Sequence, residues 1–73
     1  MIHHYDDMDD QTWYTVSTWH ENGVCTDEEQ FGGDAVERHL DDMFDKYGTL
    51  LHANVVDPDG YPVMEIDSHW LEI

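Results

Sequence analysis

The chain has 73 residues, 18 of them acidic and two basic, for a formal net charge of −16. That length supports one domain with a barely sufficient apolar core. Two cationic side chains cannot neutralise a phosphate backbone, and an anionic surface is repelled by anionic lipid; direct nucleic-acid and membrane-surface binding are thereby excluded.

An acidic disordered tail would have few aromatics and no clean periodicity. This chain is 40% apolar with three Trp, four Tyr and two Phe, so it is expected to fold. One cysteine, Cys25, cannot form an internal disulfide. The start, "MIHHYDDMDD", has no basic region or apolar run of the signal-peptide kind. No stretch approaches the ~18 apolar residues of a membrane span. A soluble, cytoplasmic protein is the expectation.

Residues 1–11 read as an acidic N-terminal arm, solvated by Asp6, Asp7, Asp9 and Asp10, ahead of a single α+β domain over 12–73. "TWYTVSTWH", 12–20, is dense in β-branched and aromatic residues and predicts a strand. Its alternation sets Trp13, Thr15, Ser17 and Trp19 on one side and Tyr14, Val16 and Thr18 on the other. Asn22-Gly23 predicts a two-residue hairpin turn with positive φ at both residues. The return strand would run from Val24 to Phe31.

Gly32-Gly33 breaks the chain before a helix over 34–47. Asp34 with Glu37 suggests a capping box, and Gly48 a C-terminal stop. Val36, Leu40, Met43, Phe44 and Tyr47 form its apolar stripe. "LLHANVV" then predicts a strand with Leu51, Ala53 and Val55 on one side. "DPDG", 57–60, fits a type I turn, and "YPVMEID" returns with Met64 and Ile66 opposite Glu65 and Asp67. "HWLEI" would extend that strand or pack Trp70 and Leu71. The order ββαββ implies a two-layer sandwich: a mainly antiparallel four-stranded sheet with one helix on one face, β-grasp-like if the first and last strands adjoin.

One helix covers only one sheet face, so Trp13 and Trp19 are candidates for an aromatic interface, serving a dimer or another partner. Chemistry is harder to find. Six histidines (His3, His4, His20, His39, His52 and His69) lack zinc-ligand spacing. "DPDG" departs from an EF-hand loop, with Tyr61 at the fifth position and no Glu at the twelfth. Cys25, Ser17 and Ser68 have no nucleophile context, and no glycine-rich loop leads to a phosphate-binding Lys. A non-enzymatic protein without metal or other cofactor is expected.

The remaining feature is the charge. A compact chain of this length spans roughly 30 Å, over which duplex DNA carries about 18 charges. Sixteen uncompensated charges destabilise so small a body. A very salty solvent or a strongly basic partner would explain their retention. Twelve Asp against six Glu suit the first, but only two Ala do not. The second points to Glu37, Asp41, Asp42 and Asp45 as an outward ridge, extended by the arm's Asp6, Asp7, Asp9 and Asp10 and by Glu28 and Glu29.

In size, acidity, lack of enzyme motifs and compact α+β pattern, the chain resembles small phage-encoded anti-defence proteins, especially acidic anti-CRISPR proteins. The resemblance is one of class over the whole chain. It implies an inhibitor that mimics nucleic-acid charge and blocks a basic DNA- or RNA-binding groove of a host defence complex, such as a CRISPR effector or restriction enzyme. The alternative is a small phage or bacterial accessory protein whose aromatic sheet face contacts a second copy or a partner.

Overall fold

A computed structural model describes residues 2–67. Five strands and one helix follow in order: β1 (Ile2–His4), β2 (Trp13–His20), β3 (Cys25–Phe31), α1 (Gly33–Tyr47), β4 (Leu50–Val56) and β5 (Pro62–Ile66). The α+β class and the helix on one sheet face match expectation; four strands and the order ββαββ do not. The fifth strand comes from the acidic arm, where Ile2 pairs with Ile66 and His4 with Met64. The segment "HWLEI" lies outside the described residues.

All neighbouring strands are antiparallel, in the spatial order β1-β5-β4-β2-β3. The β-grasp arrangement therefore does not occur: β2 lies beside β4, not β5. The reason is the two-residue link from α1 into β4, which the β2–β3 turn grips. Glu21 N–H donates to the Thr49 carbonyl (3.0 Å), and the Asn22 side-chain amide to that of Tyr47 (3.2 Å). β4 thus starts alongside the end of β2, making β3-α1-β4 a crossover with β2 between its strands.

Both hairpins use the same turn. Gly23 N–H donates to the His20 carbonyl and Gly60 N–H to that of Asp57, each at 3.0 Å. Each type I turn is followed by a glycine at φ 90°, giving three-residue loops with a bulge. Positive φ at Asn22 is not needed: its side-chain oxygen instead accepts the Val24 N–H at 3.1 Å. At 57–60 the expected type I turn forms, and the Asp57 carboxylate also accepts the N–H groups of Asp59 and Tyr61.

α1 begins one residue earlier than expected, and its cap is Gly32, without a side-chain cap bond; Asp34 sits in the first turn. The arm and the residue that follows it supply acceptors instead. Gly32 N–H donates to the Thr12 carbonyl and Gly33 N–H to that of Asp9, both at 2.9 Å. Gly32 has φ +89°, and a Cβ there would stand 3.1 Å from the Asp10 carbonyl oxygen. At the other end Gly48 does stop the helix, its N–H bonded to the Phe44 carbonyl.

The core lies between α1 and the inner face of the sheet. Val16, Val36 and Val55 are fully enclosed, with Tyr14, Leu40, Ala53, Val63, Met64 and Ile66 around them and Met8 of the arm packed alongside. Burying each of the Val, Leu, Ile and Met side chains stabilises the fold by about 1.5–3 kcal/mol. Two expected core positions differ. The register shifts at Trp19/His20, and Leu50 rather than Leu51 is buried. Phe44 stays 40% exposed because α1 lies mainly over β2 and β3.

Of the buried polar side chains, Thr18 and His20 are bonded to each other, whereas Nε2 of His39 has no hydrogen-bond partner among the described residues. His20 Nδ1–H donates to the Gly48 carbonyl (3.2 Å), and its Nε2 accepts from the Thr18 hydroxyl (3.0 Å). Thr18 also meets the Thr26 hydroxyl. A carbonyl can only accept, which fixes the proton of neutral His20 on Nδ1.

Candidate functional site

The acidic residues of α1 divide into two stripes. Residues three or four apart are neighbours on a helix, so Asp34, Glu37, Asp41 and Asp45 form one continuous row. Arg38, Asp42 and Lys46 form another, and it contains both cationic side chains of the chain. The two rows border different parts of the fold. Glu37 and Asp41 line a groove beside β1 and β5, whereas Arg38 and Asp42 line a small depression with Gln30 of β3 and His39. The single ridge expected from the sequence therefore separates: Asp42 joins the mixed-charge row, and Glu37, Asp41 and Asp45 stay in the anionic one.

The arm extends the anionic row. Its backbone is pinned by Asp9, whose N–H donates to the Tyr14 hydroxyl oxygen and whose carbonyl accepts from Gly33 N–H, each at 2.9 Å. The Asp9 carboxylate accepts from the Thr12 hydroxyl and from Gln11 N–H, and these bonds hold it below the usual carboxylate pKa. Tyr5 N–H donates to the Val63 carbonyl. These ties put Asp6, Asp7 and Asp10 around a depression of about 340 Å³, whose other walls include His4, Met8, Asp34 and Glu37. Five carboxylates from two distant parts of the sequence thus border one bowl. Asp9 holds the arm in place instead of lining the bowl.

The helix start helps hold this charge, since its N-terminus carries a partial positive charge that favours Asp34 in the first turn. Among the described residues, no three His, Cys, Asp or Glu side chains converge on a metal-sized point. The carboxylates are instead spread along a row and a bowl, a spacing suited to several separate ammonium or guanidinium groups.

Glu28 and Glu29 do not join this row. Adjacent strand residues point to opposite faces. Glu28 lies on the helix side, 3.5 Å from Nδ1 of buried His39, while Glu29 shares the other face with Asp27 and Phe31. The buried pair His20 and His39 was not legible as core from sequence. Position 20 continues the inward alternation of Tyr14, Val16 and Thr18, and position 39 adjoins Leu40, the only signals that mark them.

The second sheet face carries the aromatic candidates. Trp13 (55% exposed) packs against Phe31 (44%) with ring centroids 5.1 Å apart. Trp19, next to Cys25 across the strand pair, contacts the His52 ring at 5.0 Å. His52 lies 3.9 Å from Glu65, and His3 Nε2 is 3.0 Å from an Asp67 oxygen.

No family model, curated protein or solved structure matches the chain. Among the described residues, no helix is long and apolar enough to cross a membrane.

Proposed function

We propose that the chain is a non-enzymatic inhibitor that acts as a surrogate polyanion, occupying the basic DNA- or RNA-binding groove of a host defence complex. The observation that carries this reading is the junction of the Asp34-Glu37-Asp41-Asp45 row with the arm's Asp6, Asp7 and Asp10 around one bowl. The long axis measures 32 Å, a length over which duplex DNA presents about 19 charges. The formal −16 is of that order. Hydrogen bonds hold the arm against the helix start, so less ordering is needed when a row of Arg and Lys docks.

The test is capture from host lysate on the immobilised chain at ~50 mM and ~500 mM NaCl, with duplex DNA as competitor. A nucleic-acid-binding complex retained at low salt, released at high salt and displaced by DNA is the expected result. The triple substitution Glu37→Lys, Asp41→Lys and Asp45→Lys abolishes that capture. Retention unaffected by salt, by DNA and by the triple substitution refutes the reading.

A second reading rests on the exposed Trp13–Phe31 pair of the outer sheet face, which suits contact with another protein or a second copy. Under it, Trp13→Ala removes binding while the triple charge reversal does not.

A further inference from the structure

The groove between α1 and the β1–β5 end of the sheet has a volume of about 430 Å³. Its floor is Leu40, Met64 and Ile66, and its walls include Ile2 and Phe44, which remain 42% and 40% exposed. It lies where α1, seated over β2 and β3, leaves the far end of the sheet less covered. Its rim is anionic, with Glu37 and Asp41 from the all-acidic row. His4 and Glu37 also border the five-carboxylate bowl, so the apolar groove opens directly into the acidic depression at the helix start.

We propose that this groove receives a basic amphipathic helix of the partner protein. The helix seats an apolar stripe on Leu40, Met64 and Ile66 while its Arg and Lys side chains reach Glu37, Asp41 and the bowl. The proposal rests on the polyanion reading and deepens it: the partner's cationic surface carries an apolar anchor, and recognition is not by charge alone. Charge selects the occupant. A second copy would bring another −16 to an anionic rim, whereas a cationic segment satisfies rim and floor together. An apolar stripe at i, i+3/i+4 and i+7 is the usual form of such a groove-binding helix.

The probes are two peptides of about 16 residues with the same Leu and Lys composition, one with helical periodicity and one permuted to destroy it. Binding is measured by fluorescence anisotropy at ~50 mM and ~300 mM NaCl. The periodic peptide binds at least about tenfold more tightly, as one or two buried anchors provide, and this preference persists at the higher salt. It perturbs the methyl resonances of Ile2, Leu40, Met64 and Ile66. The double variant Ile2→Ser/Phe44→Ser, checked for folding by circular dichroism, erases the preference and leaves the permuted peptide's affinity unchanged. Equal binding of both peptides overturns the groove while the polyanion reading stands. Binding of neither overturns both. Perturbation confined to Trp13, Trp19 and Phe31 overturns the groove in favour of the outer face. Concentration-dependent dimerisation abolished by the double variant assigns the groove to a second copy and likewise overturns the proposal.

Discussion

Replacing Asp45 by Lys should stabilise the fold while weakening its hold on a cationic partner. Asp45 is exposed in the last turn of α1, so the change costs no packing. Its helical neighbours three and four residues back are Asp42 and Asp41. Each like-charge pair costs about 0.2–0.5 kcal/mol and its reversal gains a similar amount, so two pairs supply roughly 0.8–2 kcal/mol. A cation near the helix C-terminus adds about 0.3–1 kcal/mol. The total is about 1–3 kcal/mol, or a rise in melting temperature on the order of 4–20 °C for a chain of this size. Asp42→Lys should have the opposite sign. It turns favourable pairs with Arg38 and Lys46 into repulsions and relieves only the one with Asp45, a net loss of roughly 0.4–1 kcal/mol. Thermal melts at ~10 mM and ~1 M NaCl decide the matter, because at the higher salt the screening length falls to ~3 Å and both effects should shrink. A neutral or destabilising Asp45→Lys at low salt, or a gain undiminished at high salt, would refute the like-charge repulsion assigned to Asp45.

Two further outcomes concern the arm. Gly32→Ala places a side chain at φ +89° against the Asp10 carbonyl; it should destabilise the fold by about 1–3 kcal/mol and speed hydrogen exchange at Gly33 N–H, with Gly23→Ala, which meets nothing within 4 Å, as the milder control. The folded-state pKa of Asp9 is lowered, so its charge stabilises the fold above its unfolded pKa of ~3.9 and this contribution is lost as pH falls through the folded value. Melting followed from pH 5 down to about pH 2 should accordingly fall less steeply in Asp9→Asn than in the parent chain.

The elements most legible in the sequence were those with local causes. α1 follows from a 3.6-residue apolar period ending at Gly48, and the hairpins from Asn22-Gly23 and "DPDG". β1 had no such signal: three residues, Ile2–His4, become a strand only because β5 offers an edge to partners 60 to 64 positions away. Leu50 and Leu51 exchange places because a bulge between Trp19 and His20 resets the alternation, which a fixed period of two cannot anticipate. Of the candidate site, the anionic residues of α1 were legible as a set. Which row borders the groove and which borders β3 was not, since that depends on how the helix is seated on the sheet. The bowl was equally hidden, because the Asp9–Gly33 and Tyr5–Val63 bonds that form it join distant segments.

Among the described residues the sheet ends on one side in β3, whose outer edge presents backbone donors and acceptors. That strand reads "CTDEEQF", with Asp27, Glu28 and Glu29 at its centre. An antiparallel copy aligned on that centre would set carboxylate against carboxylate on both faces of the joint sheet, an arrangement that cross-strand repulsion opposes. The other margin, β1, is only three residues long, too short to template much pairing. A chain with a slender core can thus keep an open sheet at high concentration without polymerising through its margins.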